Sequence, residues 1–376
     1  MEKEKLKLTK KIFIDGHSFD TQFQGTTSYL IGLYSELLKN HQDIELYIGA
    51  KTPHKAKKFF ENFSNVFFIK YKSSSSLTRI FFEIPKIINQ NKFDYAHFQY
   101  IIPFRRKKDC KYLVTIHDIL FEDFKEYFPF FYRMIRKVLF KYSALNADKI
   151  FTVSEYSKSR LVELYNIKSD KIFITHNGIN EHFLNFKTGK KESSDYIFEK
   201  YGIKKYLLYV SRIEPRKNHL ELANLLLKNN FNDNFNLVFI GSNSLNPNFH
   251  KKINELNQNK NRFLFWLEGI DTKDLLHFYN ASEAFIFPSV AEGFGIPPLE
   301  AGILNIPVLC SNSTAMSDFD FFEPYFFDPF NQKEFESKLI EFIKNHKNVD
   351  TNSIKNSIIK KYSWKKSSYV FFHQLS

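Results

Sequence analysis

Short apolar runs and longer stretches of helical periodicity alternate along the whole chain. Residues 11–15, 45–48, 66–69, 95–99, 112–116, 150–153 and 172–175 are runs of the kind strands show when both faces are covered. A second series follows at 206–210, 237–241, 263–267, 284–287 and 306–309. Between them lie helical patterns. Residues 25–38 open on Gly25-Thr26-Thr27 and set Leu30, Leu33, Tyr34 and Leu37 on one face. Residues 219–228, 275–279, 334–344 and 354–362 also read as helices. This alternation predicts an α/β chain of doubly wound, Rossmann-like domains, whose ligands meet the C-terminal ends of strands. Residues 185–200 are polar and lack strong periodicity, so the linker is placed there, between an N-terminal domain (1–185) and a C-terminal one (186–355). At 376 residues the chain is long enough for two cores.

One helical pattern is ambiguous. Residues 130–142 place Arg133, Arg136, Lys137 and Lys141 on one face and Ile135, Val138, Leu139 and Tyr142 on another. Such a helix either lies on a membrane surface or packs its apolar face into the domain. Packing is the preferred reading, which leaves only the basic side for anionic headgroups. The serine run 73–76 reads as a loop.

Charge sharpens this picture. The formal net charge is +13, and residues 1–185 hold 30 Lys and Arg against 20 Asp and Glu, whereas residues 186–376 hold 24 against 21. The excess, including Arg105-Arg106-Lys107-Lys108, is either scattered surface charge or a face for anionic lipid, nucleic acid or an acidic substrate. The basic stretches carry no nucleic-acid-binding motif, so no nucleic-acid partner is expected. The two cysteines, Cys110 and Cys310, fall in different expected domains, which fits a reducing compartment. No signal peptide is expected, and no apolar run approaches a membrane span. A cytoplasmic protein, at most peripheral on the inner membrane face, is the resulting expectation.

The most informative stretch is 284–310. It reads as strand, tight loop, helix and strand. Pro288 ends the first strand. Gly293 and Gly295 let the backbone turn and approach a ligand closely, and Pro297 and Pro298 suit a first helical turn. Backbone N–H groups from Gly293, Phe294, Gly295 and Ile296 would converge with a helix N-terminus, which is an anion site. Two carboxylates, Glu292 and Glu300, bracket it. Carboxylates accept hydrogen bonds and sugar hydroxyls donate them. Phosphate on the N–H groups and hydroxyls on the two Glu together describe a nucleotide sugar. Earlier in the same domain, Arg212 and Lys217 leave one strand-to-helix loop, where charge-assisted hydrogen bonds to a diphosphate are worth about 1.5–3 kcal/mol each, while Arg216 between them reads as solvated.

The segment Glu292-Gly-Phe-Gly-Ile-Pro-Pro-Leu-Glu300, with Phe-Pro-Ser before it and Pro-Val after it, resembles the E-x₇-E motif of the retaining family 4 glycosyltransferases. The resemblance implies the GT-B fold, two Rossmann-like domains facing each other across a cleft, with residues 356–376 crossing back to the first domain. It implies that Arg212 and Lys217 take the diphosphate, that the 293–296 backbone takes phosphate and sugar, and that Glu300 takes the ribose hydroxyls. Glu292 would hold the transferred sugar. Gly269 marks the loop near the nucleotide base in similar enzymes, and the Gly25-Thr26 backbone approaches the diphosphate. His117, after the strand 112–116, would touch the transferred sugar, with Asp118 either orienting its ring or capping the next turn. No metal and no other cofactor is implied. Asn305 stands where the family usually has Gly, and no Glu-Gly turn follows Pro307-Val308.

The expected function is transfer of a hexose, with retention, from a GDP- or UDP-linked donor to a glycan or lipid-linked acceptor in surface polysaccharide assembly. The alternatives are an epimerase or hydrolase of nucleotide sugars on the same fold, and a non-catalytic glycan- or nucleic-acid-binding protein. Asp318-Phe319-Asp320 also matches the short metal-binding D-x-D pattern of another glycosyltransferase fold, but it follows a C-terminal strand, which is the wrong place for it.

Overall fold

A computed structural model describes residues 9–21, 25–73, 75–243, 246–258 and 263–375. The chain divides into two units, one of residues 1–178 with 363–376 and one of residues 179–362. Of the serine run, Ser74 lies outside the described residues, as does the start of the chain through residue 8.

The first unit is a parallel seven-stranded sheet of order β3-β2-β1-β4-β5-β6-β7. Its strands are β1 (Lys10–Asp15), β2 (Ile44–Ala50), β3 (Val66–Lys70), β4 (Tyr95–Gln99), β5 (Lys111–Thr115), β6 (Lys149–Thr152) and β7 (Ile172–Ile174). Chain order reverses between β1 and β4, so crossover helices go to opposite faces on the two sides of that point. Strands covered on both faces account for the unbroken apolar runs: Ile12, Phe13 and Ile14 are all fully buried. Helix α1 (Gly25–Asn40) follows β1 and buries Tyr29, Leu30, Leu33, Tyr34 and Leu37. Helix α2 (Phe130–Asn146) and helix α3 (Glu155–Tyr165) follow β5 and β6. Ser154 caps α3, its hydroxyl accepting from the Ser157 N–H at 3.1 Å.

The second unit is a parallel six-stranded sheet of order β10-β9-β8-β11-β12-β13. It comprises β8 (Tyr206–Val210), β9 (Asn236–Ile240), β10 (Leu264–Leu267), β11 (Ala284–Phe287), β12 (Val308–Ser311) and β13 (Phe326–Phe327). The helices that matter below are α4 (Lys190–Tyr201), α5 (His219–Lys228), α6 (Thr272–Ala281), α7 (Ile296–Ile303) and α8 (Thr351–Lys361). Residues 190–201, expected within a linker, form α4. Only Ser193 and Ile197 are buried on it, so its apolar stripe is one residue wide and gives almost no periodic signal. It is held instead by polar bonds: the Tyr196 and Tyr201 hydroxyls and the Lys200 ammonium all donate to Asp274 of α6.

The chain ends in α9 (Trp364–Phe372), which packs on α1 in the first unit. A Cβ on Gly32 would lie 2.0 Å from Trp364, so α1 is bare there because the indole lies against its backbone. The Ser367 hydroxyl donates to the His176 carbonyl at 2.6 Å.

The helix α2 departs from the preferred packed reading. Ile135 and Val138, expected to face the core, are 59% and 63% exposed. Phe140, Ser143 and Ala144 face inward instead. The arginines are half-buried, with Arg136 lying over the Tyr132 ring at 4.2 Å and over Phe140 at 5.5 Å. Guanidinium planes packed on rings let Arg133 and Arg136 turn toward the inner side, while Lys137 and Lys141 stay exposed and Leu139 and Tyr142 pack against the core.

Candidate functional site

In the second unit, β8 and β11 are paired neighbours at the point where strand order reverses, with Ala284 opposite Leu207. Their C-terminal loops therefore run side by side. The loop after β8 carries Arg212, Glu214, Arg216 and Lys217 into α5, and the loop after β11 carries Glu292 to Gly295 into α7. Backbone bonds tie the loops down. The Val290 N–H donates to the Arg216 carbonyl at 2.8 Å, and the Tyr209 hydroxyl to the Lys217 carbonyl at 2.7 Å. Asn218 turns the first loop into α5 with φ 54°. Gly295 turns the second into α7 with φ 94°, a conformation that favours glycine. Pro297 and Pro298 occupy the first turn of α7, and no side chain caps it.

The charged side chains form a buried chain. Lys217 is ion-paired with Glu292. Arg216 bonds the Ala291 carbonyl, reaches Glu292 at 3.5 Å and pairs with Glu214 at 2.7 Å. Glu214 in turn pairs with Arg212 at 2.8 Å. Glu214, Arg216 and Lys217 are each less than 10% exposed, whereas the Arg212 side chain is half-exposed at 51%. Burial pulls the Lys217 ammonium down to about 8; Arg216 adds to the drop, and Glu292 opposes it. Burial alone would raise Glu292, but Lys217 and Arg216 outweigh it and hold the carboxyl below its ordinary value. Glu300 lies in the second turn of α7 and, among the described residues, has no ion-pair partner. Burial pushes it up to about 7, opposed by the Tyr279 hydroxyl, which donates to it at 2.9 Å.

Other expected residues sit elsewhere. Gly269 follows β10, an edge strand, with φ 67° and open space where a Cβ would stand. The Phe294 side chain is buried edge-on to Tyr362 and Phe319. Asp320 of the D-x-D pattern lies 3.6 Å from the Lys361 ammonium. Among the described residues, no group of three or more His, Cys, Asp or Glu is arranged to hold a metal ion.

In the first unit, His117 stands just past β5 and is buried. Its Nε2 meets Gln99 Oε1 at 2.7 Å, and its ring lies between Tyr29 and Tyr100, at 5.0 and 5.3 Å. Burial lowers the imidazole to about 3, so it is neutral at ordinary pH. Asp118 accepts from the Leu120 N–H at 3.2 Å, in keeping with a turn cap. Gly25 and Thr26 are the first two residues of α1.

Two family models match, one within each half of the chain. The one described as Glycosyltransferase Family 4 matches residues 23–183, and the one described as Glycosyl transferases group 1 matches residues 191–360. The chain belongs to the family 4, group 1 glycosyltransferases. O-antigen chain mannosyltransferase B of Escherichia coli is 29% identical to this glycosyltransferase over 211 residues, 55% of this chain and 54% of that protein. O-antigen chain mannosyltransferase RfbU of Salmonella typhimurium is 30% identical over 207 residues, 53% of this chain and 51% of that protein. The chain thus spans about half the length of these curated relatives. Among solved structures, a glycosyltransferase from Rickettsia africae aligns with TM-score 0.72 at 18% identity, over 98% of both chains. Anabaena Alr3699/HepE in complex with UDP and glucose aligns with TM-score 0.71 at 15% identity, over 98% of this chain and 99% of that one. These likenesses establish the GT-B fold.

The structure of the glycosyltransferase brings Arg212, Lys217, Glu292, the 293–296 backbone and Glu300 into one end of the second unit, and sets Gly269 on a separate loop. It also corrects one residue. Arg216, read from the sequence as solvated, is buried and bonds both loops. Its position between Pro215 and Lys217 gave no sign of this, because a basic residue in a polar loop is ordinarily exposed. Gln99 and Tyr100, at the end of β4, were missed as well. Tyr100 has φ 65°, which is strained for a bulky residue and is the kind of outlier that collects at functional sites. Asn305 takes φ 59°, which accounts for glycine at that place in the family and for asparagine serving here.

Proposed function

We propose that this glycosyltransferase moves a hexose from a nucleotide-diphosphate sugar to a glycan or lipid-linked acceptor in surface polysaccharide assembly, with retention and without a metal ion. The observation that carries the reading is the array of Arg212, Arg216 and Lys217 beside the start of α7. Three cations and a helix N-terminus at one place suit two phosphates. The relatives named as O-antigen mannosyltransferases favour a mannosyl donor and an acceptor of that class.

In this reading Arg212 and Lys217 hold the diphosphate, Arg216 holds the two loops together, and Glu300 accepts from the ribose hydroxyls. Glu292 accepts from hydroxyls of the transferred sugar. Glu292 is already engaged by Lys217 and Arg216, which suits a positioning group better than a nucleophile. The mechanism is then a same-face displacement. The acceptor oxygen bonds to the anomeric carbon as the bond from that carbon to the diphosphate oxygen breaks, and the acceptor proton passes to the departing diphosphate. Cations placed beforehand around the leaving group meet the charge that develops there. A covalent glycosyl–enzyme intermediate on any side chain would overturn this route.

The test is a thermal-shift titration with UDP, GDP, ADP and their sugar adducts, with and without EDTA. Stabilisation by one nucleotide, unchanged by EDTA, is expected and identifies the base. Stabilisation by none, or only with a divalent ion, refutes the cationic clamp.

A further inference from the structure

The helix α2 turns an apolar stripe to solvent. Phe130, Phe131, Met134, Ile135, Val138 and Leu145 are all exposed, Phe131 most of all at 78%. At helical spacing these six fall within one sector of less than half the circumference. Lys137 and Lys141 stand exposed along one margin, and Lys137 also reaches Glu122 at 3.1 Å. No Asp or Glu occurs in the 17 residues of the helix. The stripe continues onto a neighbouring loop. Phe104, 49% exposed, lies edge-on to Tyr142 of α2 at 4.6 Å and stacks on Phe81 at 4.6 Å. Exposed Arg105 and Lys108 follow it directly.

Contiguous exposed apolar surface with a polar rim marks an interaction site. Its charge decides the partner. In a symmetric pair of chains each α2 would bring Lys137 and Lys141 against the same lysines, with no carboxylate on the helix to balance them. An anionic bilayer offers both partners at once: acyl chains for the stripe and phosphates for the basic margin. We propose that α2 docks this chain on an anionic lipid surface, with the stripe entering the headgroup–acyl boundary and Lys137, Lys141, Arg105 and Lys108 facing headgroup phosphates. The inference stands on the exposure and charge of α2 and does not depend on the sugar-transfer reading. It does bear on it, because the inner side of the helix reaches His117 through one ring. Phe140 stacks on Tyr100 at 4.9 Å, and Tyr100 lies 5.3 Å from His117.

The test is co-sedimentation of the full chain with vesicles of phosphatidylcholine alone and of phosphatidylcholine mixed with phosphatidylglycerol. Binding to the mixed vesicles is expected to be at least tenfold tighter and to weaken with salt. Phe131→Ser/Ile135→Ser should reduce it at least tenfold, and Lys137→Gln/Lys141→Gln by about fivefold per lysine. All four positions are exposed, so nucleotide thermal shifts without vesicles should match wild type, which separates loss of docking from loss of the donor site. Absence of vesicle binding by the wild type, or equal binding by Phe131→Ser/Ile135→Ser, overturns the proposal. So does a wild-type dimer in sedimentation equilibrium that Phe131→Ser/Ile135→Ser converts to monomer, because the stripe then belongs to a second copy.

Discussion

Lys217 and Glu300 show how one site uses burial in opposite ways. Both are withdrawn from water, but Lys217 has carboxylates beside it and Glu300 has only a phenol. In the proposed reading, removing Lys217 takes away a phosphate ligand, and it leaves Arg216 as the cation beside Glu292. Lys217→Ala is expected to lower turnover at least tenfold in a steady-state assay, and unchanged turnover would remove it from the clamp. For Glu300 the folded value, about 7, lies above the ordinary carboxyl value. The folded state therefore binds a proton that the unfolded state releases, and stability falls as pH rises toward 7. Glu300→Gln keeps an acceptor for Tyr279 and removes the buried charge. It should raise Tm at pH 8, with the gain vanishing below the ordinary carboxylate range, and weaken nucleotide binding in the same samples. A Tm difference independent of pH would show that Glu300 does not titrate as described. The spacing of Glu292 and Glu300 was legible because seven intervening residues in a loop and one helical turn are local geometry. The role of Arg216 was not, because its partners Ala291 and Glu292 are 75 and 76 residues away.

Elements were legible where one face is apolar and its period plain. The strands of both sheets other than the two-residue β13, together with α1, α5 and α7, belong to this class. Two readings differ from the structure for opposite reasons: α4, expected within a linker, is held by tyrosine and lysine bonds to Asp274 rather than by an apolar stripe, and α2, expected as a helix and found as one, exposes the stripe expected to pack inward. A moment in the sequence says that a helix has two faces, not which one the fold will cover. The docking of α9 depends on a missing side chain. Gly32→Ala would set a Cβ 2.0 Å from the Trp364 ring, and overpacking of this kind costs about 1–3 kcal/mol. The expected result is a clear drop in Tm by thermal unfolding. Gly189→Ala is the control, because nothing lies within 4 Å of a Cβ there and its φ is −67°. Equal Tm values for the two variants would mean that the indole moves aside freely.

At the scale of the molecule, the same wiring occurs twice. Each unit carries a parallel sheet whose strand order reverses once, β1 to β4 in the first and β8 to β11 in the second. The reversal makes β8 and β11 neighbours, although two strands and three helices separate them in the chain, and so brings Lys217 to Glu292. Among the described residues no helix is long and apolar enough to cross a membrane. The sequence by itself determined the α/β class, the two series of strands, the glycine turn into α7 and the spacing of its carboxylates. These follow from steric preference and periodicity over a few residues. Only the tertiary structure decided that Arg216 is buried, that residues 190–201 are a helix, and that the apolar side of α2 faces water. Burial depends on which distant element covers a face, and local preference carries no record of that.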